Sequence, residues 1–184
     1  MAQTPSNMLP LGTEAPMFNL LDTVSGEKKT LQDVKGKKGT VIMFICNHCP
    51  FVIHVNKAIV ALADNYIQKG ISFVAISSND ILKYPQDSPE KMKTLAENEK
   101  YSFPYLYDAT QEVAKLYEAA CTPDFYLFEE DLKLVYRGQL DSSRPGNGIP
   151  VTGEDLRNAM DCLLEGEENN APQKPSIGCN IKWK

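Results

Sequence analysis

Residues 40 to 45 read TVIMFI, an uncharged run rich in β-branched side chains, which is the pattern of a strand buried on both faces. The period then changes. From Asn47 to about Gln68 the apolar positions Val52, Val55, Ile59, Leu62, Ala63 and Tyr66 recur at steps of three and four, marking one face of a helix. Gly70 closes that helix ahead of a second apolar run, ISFVAIS, and strand, helix, strand in this order predicts two parallel neighbours. In SPEKMKTLAENEK a further helix is expected, with Ser88 as N-cap and Pro89 at its first position. FPYLYD reads as a short strand and ATQEVAKLYEA as another helix.

Beyond that point the pattern alternates. DFYLFEEDLKLVYRGQL makes two runs of period two around Glu129-Glu130-Asp131, the mark of an antiparallel hairpin. A Gly/Pro-rich loop, DSSRPGNGIP, leads to a last helix starting near Thr152, with Asp155 placed for a capping box. Before the central strand, APMFNLLDTVSGEKKTLQDVKGKKG holds short apolar pieces broken at Ser25-Gly26, as in a hairpin. These elements predict one α/β domain over 1–164, a mixed sheet flanked by helices with an N-terminal β-hairpin extension. The polar, Pro-containing stretch 165–184 is expected as a C-terminal tail packed on that domain.

Composition narrows the function classes. The 184 residues suffice for one substantial core, and the net charge of −5 with no basic cluster argues against nucleic acid as a partner. No signal peptide or bilayer-length apolar run is found in the sequence, so no membrane association and a cytoplasmic location are expected. In a reducing compartment thiols stay reduced unless they do chemistry or bind metal, and five cysteines leave one over from any set of pairs.

Two of the five stand close together. The central strand runs into Cys46-Asn47-His48-Cys49, so a helix beginning at once would set Cys46 at its N-terminus, where unpaired N–H groups favour a thiolate. Two intervening residues let a disulfide close within one turn, with Cys46 exposed and Cys49 more buried. His48 is expected to lower the Cys46 pKa further. The same spacing permits half of a zinc site, but a second C-x-x-C or paired histidines are missing, and strand-to-helix placement is the redox context.

With the strand before CNHC and CTPDFYLF far downstream, the chain resembles the thioredoxin superfamily. Its lead, LGTEAPMFNLLDTVSGEKKTLQDVKGKKGTVIMF, together with GQLDSSRPGNG and SIGCNIKWK, is similar to the peroxiredoxin-like, AhpC/TSA-like branch. The resemblance implies a thioredoxin-like fold in which Cys46 is the attacking thiolate, Cys49 the resolving thiol and Pro123 a cis proline beside them. It implies a thiol-disulfide oxidoreductase without a bound cofactor or metal, acting on disulfide-containing proteins or small thiols and requiring an external redox partner. A peroxiredoxin-like thiol peroxidase using Cys46 is the alternative, and a zinc- or partner-binding module the second. A cis bond before Pro123 would leave the Thr122 backbone open to an extended substrate, making Thr122 and neighbouring Cys121 the substrate-side candidates.

The chain departs from its relatives twice. TVIMFI holds no carboxylate where thioredoxins carry a buried acid, and the peroxiredoxin pattern P-x-x-x-[TS]-x-x-C meets Gly39 and Met43 instead. Cys121 and Cys162 read first as apolar packing. Cys179 lies in the tail among the anchors Ile177, Ile181 and Trp183, where docking is the first reading and a third redox thiol the other. Arg144 is expected to pin its loop, and His54, off the face of His48, to lie at or near the surface.

Overall fold

The structure, a computed structural model, describes residues 3–184. In chain order its elements are β1 (Gln3–Pro5), β2 (Asn19–Asp22), β3 (Lys28–Thr30), α1 (Leu31–Val34), β4 (Gly39–Phe44), α2 (Pro50–Ile67), β5 (Ile71–Ser77) and α3 (Pro89–Asn98). There follow β6 (Tyr105–Tyr107), α4 (Glu112–Leu116), β7 (Cys121–Thr122), β8 (Asp124–Glu129), β9 (Leu134–Gly138), α5 (Glu154–Glu165) and β10 (Ile177–Asn180). A single 3₁₀ turn, Pro85–Asp87, precedes α3.

Seven strands form a mixed sheet in the order β3-β2-β6-β5-β4-β8-β9. β4 lies inside it, parallel to β5 and antiparallel to β8, which explains why all six of its residues are buried. Its side chains alternate between two cores. Val41 and Met43 pack with the buried faces of α2 and α5, while Ile42 and Phe44 pack with Leu31, Tyr117, Tyr126 and Phe128. On α2 the buried positions include Val52, Val55, Ile59, Leu62, Ala63 and Tyr66, the stripe that its periodicity predicts. Truncating a residue such as Ile59 to Ala would cost about 2–5 kcal/mol.

The mixed sheet with flanking helices agrees with the expected fold class, and so does the hairpin of β2 and β3, whose turn has Gly26 at φ 77°. Boundaries differ where side chains redirect the backbone. α2 begins at Pro50, later than Asn47, because Cys49 is its N-cap. α4 is cut to five residues, since Gln111 sits in the left-handed region at φ 65° and the Asp108 carboxylate takes the Ala114 N–H. The capping box expected at Thr152 and Asp155 does not form. Gly153 is the N-cap of α5, the Asp141 carboxylate accepts from the Thr152 and Gly153 amides, and Asp155 accepts from Gln139.

The last strand, β10, lies between β1 and β7 in a separate three-stranded antiparallel sheet. Its register, Cys179 opposite Thr122, sets it against the segment leading into Pro123. The carboxyl ends of β4 and β5, the start of α2, the start of β8 and β10 thus converge on one place.

Candidate active site

Cys46 and Cys49 occupy the crossing from β4 into α2, a position at the carboxyl end of parallel strands where open α/β sheets bind ligands. After Phe44 the chain keeps one further sheet contact, Ile45 N–H to Ile76 O (3.0 Å), and then turns. The late helix start changes which sulfur meets the helix N-terminus. Cys49 is the N-cap, and the Val52 N–H reaches its sulfur. Cys46 lies three residues ahead, and the two are 1% and 0% exposed, so the expected exposure of Cys46 is not found.

Thr122 clasps the pair from β7. Its hydroxyl is 3.5 Å from Cys46 Sγ, and its carbonyl accepts from Cys49 Sγ at 3.2 Å. The following bond to Pro123 is cis, as expected, and proline brings no N–H toward the sulfurs.

His48 belongs to a buried polar cluster. Its Nδ1 is 4.0 Å from Cys46 Sγ but 2.6 Å from Asp87 Oδ2, so the carboxylate is its principal partner. Asp87 is fully buried and also accepts from the Asn47 backbone N–H (2.8 Å) and the Asn79 amide (2.8 Å). Asn47 bonds the Gln86 carbonyl and receives the Tyr105 hydroxyl, while Tyr84 stacks on the imidazole at 5.4 Å. Any positive charge on His48 is therefore matched beside Cys46 by Asp87. The hydrogen bond to Cys49, then burial, then the Asp87 charge push the Cys46 thiol well up, contrary to the low value expected from the sequence.

The easily ionised sulfur is Cys49. The Cys46 thiol donates to it first of all, and with help from Cys179, Thr122 and the Val52 N–H it is brought down to about 5 against the opposing effect of burial. The Thr122 carbonyl pulls the other way, since it accepts only from the protonated sulfur. Of the two sulfurs Cys49 is thus the more readily ionised, with the Cys46 thiol as the chief influence favouring its charge.

Among the other candidates, Cys179 joins this cluster: it is 2% exposed and hydrogen-bonds Cys49. Cys121 is fully buried and its sulfur turns to Pro123 O at 3.8 Å, with burial and then Asp124 pushing its thiol far up. Cys162 is partly exposed on α5. Arg144 pins its loop through Asp141 O, Ser143 O and Gln139 Oε1. His54 Nε2 donates to Ser143 Oγ at 2.7 Å, because the Ser143 hydroxyl hydrogen is committed to Ile149 O.

Among the described residues one set of side chains could hold a metal: Cys46, His48 and Asp87 offer ligand atoms all within 4.8 Å of one another. Sequence reasoning missed Asp87, Asn79 and Tyr84, which reach the site from a loop with no periodicity. It also missed Asp124, a buried carboxyl opposite Phe44 in the β4–β8 register. Its cue was an acid directly after Pro123, ahead of the apolar run at 125–128.

A dithiol between a central strand and its following helix, set against the cis-proline segment that leads into the neighbouring strand β8, defines a thioredoxin-like protein. The chain belongs to the AhpC/TSA family, whose profile matches residues 11–137. No curated protein matches it. Among solved structures it is similar to an uncharacterized conserved protein from Geobacillus kaustophilus, at 64% identity and TM-score 0.98, covering 100% of this chain and 97% of that one. A hypothetical protein from Sinorhizobium meliloti matches at 46% identity and TM-score 0.96, covering 98% of each chain. The thioredoxin domain of a thiol-disulfide oxidoreductase from Bacteroides vulgatus shares the fold at 19% identity and TM-score 0.64, covering 85% of this chain and 99% of that one. Among the described residues no helix is long and apolar enough to cross a membrane.

Proposed function

We propose that the protein is a thiol-disulfide oxidoreductase in which Cys46 and Cys49 cycle between dithiol and disulfide through a mixed disulfide with a protein or small-thiol substrate. The observation that carries this reading is the placement of both sulfurs at the β4–α2 crossing against Thr122, whose hydroxyl is 3.5 Å from Cys46 Sγ and whose carbonyl lies 3.2 Å from Cys49 Sγ. The Cys49 thiolate takes the Cys46 proton as Cys46 attacks the substrate disulfide, so the pair supplies its own base. Cys46 then carries one half of the substrate and the other half leaves as a thiolate. That thiolate takes the proton back from Cys49, which attacks Cys46 Sγ and expels the second half as a thiolate that takes a proton from solvent. Two substrate thiols are made for one Cys46–Cys49 disulfide, which an external dithiol must reduce. Thr122 positions both sulfurs, and His48 with Asp87 lines the approach to Cys46.

Family membership favours a second reading, a peroxidase in which Cys46 becomes a sulfenic acid and Cys49 condenses with it, releasing water. A third, a zinc-binding module, draws on the Cys46, His48 and Asp87 ligand set. Equilibration with glutathione buffers, acid quenching and peptide mapping test the first reading. A reversible Cys46–Cys49 disulfide and insulin reduction are expected, and failure to form that disulfide overturns it. Peroxide consumption with a dithiol reductant would favour the second reading, and one zinc retained per chain after desalting the third.

A further inference from the structure

In a thioredoxin-like site the backbone beside the cis proline is the edge that an extended substrate can join by strand addition. Here that edge is taken. β10 pairs with β7, Cys179 opposite Thr122 and Asn180 opposite Cys121, and the same Thr122 carbonyl accepts from Cys49. Gly178 lies so near this carbonyl that a Cβ would overlap it, so the close approach depends on glycine at that position. Further along, the Lys182 backbone bonds Asn79, Asp80 and Gln111, and its ammonium lies over Tyr84, the ring stacked on His48. The chain's own strand thus presents a thiol to the dithiol from the position of a docked substrate.

Building on the dithiol reading, we propose that Cys179 is a third redox thiol, and that the disulfide formed between Cys46 and Cys49 passes to Cys49 and Cys179. The Cys179 thiol gives up its proton and its sulfur attacks Cys49 Sγ. The Cys46–Cys49 bond breaks, its electron pair leaves on Cys46, and Cys46 takes a proton. The step is an isomerisation of one disulfide and needs no outside oxidant or reductant. It restores Cys46 as a thiol and ties β10 covalently to the start of α2. In the reduced protein burial, then the hydrogen bond to Cys49 and the Cys49 charge push the Cys179 thiol up to about 12. The last two influences vanish once Cys49 is in a disulfide while burial remains, so Cys179 ionises more readily in the oxidised state.

The test is Cys46→Ser, which leaves Cys49 no partner in the pair, oxidised with diamide, alkylated and mapped by mass spectrometry. A Cys49–Cys179 linked peptide in monomeric protein is expected, and its complete loss in the Cys46→Ser/Cys179→Ser double variant. Recovery of Cys49 and Cys179 both alkylated, or linked only between chains, overturns the proposal. If circular dichroism shows Cys46→Ser to be unfolded, the wild type decides. Brief oxidation must then yield chains with Cys46 alkylated and Cys49 joined to Cys179, and oxidised chains carrying only Cys46–Cys49 refute the transfer. In glutathione titrations Cys179→Ser should be harder to oxidise by about twofold if the two disulfide isomers are equally populated. A wild type that never forms Cys46–Cys49 while Cys46→Ser still joins Cys49 to Cys179 sinks the dithiol reading, and the reverse pattern sinks the transfer alone.

Discussion

Replacing Asp124 with asparagine should change how stability depends on pH. Asp124 opens β8 directly after Pro123, fully buried, with Tyr126 donating to Oδ2 at 3.0 Å and no hydrogen-bond partner for Oδ1. Burial raises its carboxyl from the ordinary 3.8 to about 7, opposed by weaker hydrogen bonds. Because the folded chain holds this proton more tightly than the unfolded one, the stabilisation is fully present below about pH 4 and is lost as pH rises through about 7. A displacement of about three units at 1.36 kcal/mol each makes the loss about 4 kcal/mol by about pH 8. The amide of the variant carries no proton to lose in this range. Urea unfolding of both reduced proteins, followed by circular dichroism from about pH 4 to about pH 8, isolates the residue, because groups common to both cancel in the difference. The stability of Asp124→Asn relative to wild type should rise by about 4 kcal/mol across that range, whatever its offset in acid. A difference that stays flat with pH would refute the claim that this carboxyl is folded in its neutral form.

The dithiol makes further predictions. Ultraviolet thiolate absorbance of the reduced protein should show one thiolate at neutral pH, disappearing in acid with a midpoint near 5, and Cys46→Ala should move that midpoint upward by removing the chief donor to Cys49. Asp87→Asn leaves the His48, Asn47 and Asn79 donors poorly matched, and a loss of about 1–3 kcal/mol is expected in urea unfolding. The same variant should lower the Cys46 pKa and make that thiol easier to ionise, since a nearby negative charge is removed. Gly178→Ala should push β10 off Thr122 and speed the reaction of the buried thiols with an aromatic disulfide by about tenfold, the effect of roughly 1.4 kcal/mol on a local opening equilibrium; an unchanged rate would mean that β10 does not control access.

The layout of the sheet could be read from local pattern because its signals are local. The uncharged run at β4, the apolar stripe of α2 and the alternation of β8 and β9 each fall within a short window. The cysteine pair was visible for the same reason. Its electrostatics were not, because they depend on residues brought from elsewhere: Asp87 meets His48 across 39 positions and Thr122 meets Cys46 across 76. The ionisation order depends chiefly on the contact between the two sulfurs, with a smaller share from the boundary of α2, since starting that helix at Pro50 gives the Val52 N–H to Cys49. Periodicity places a helix but leaves such an end uncertain by a few residues. Cys179 was harder still, because only strand pairing with β7 brings the tail to the thiols.

β1 has a single strand neighbour, β10, and β10 follows every helix and strand of the main sheet in chain order. Chains emerge from the ribosome N-terminal residues first, so β4, α2 and β8 can assemble while β10 is still being made. Until β10 is in place, the Thr122 edge lacks the strand that pairs with it and β1 has no strand neighbour. The last residues to be made therefore complete the surroundings of the dithiol, so the site is finished only when the whole chain has folded.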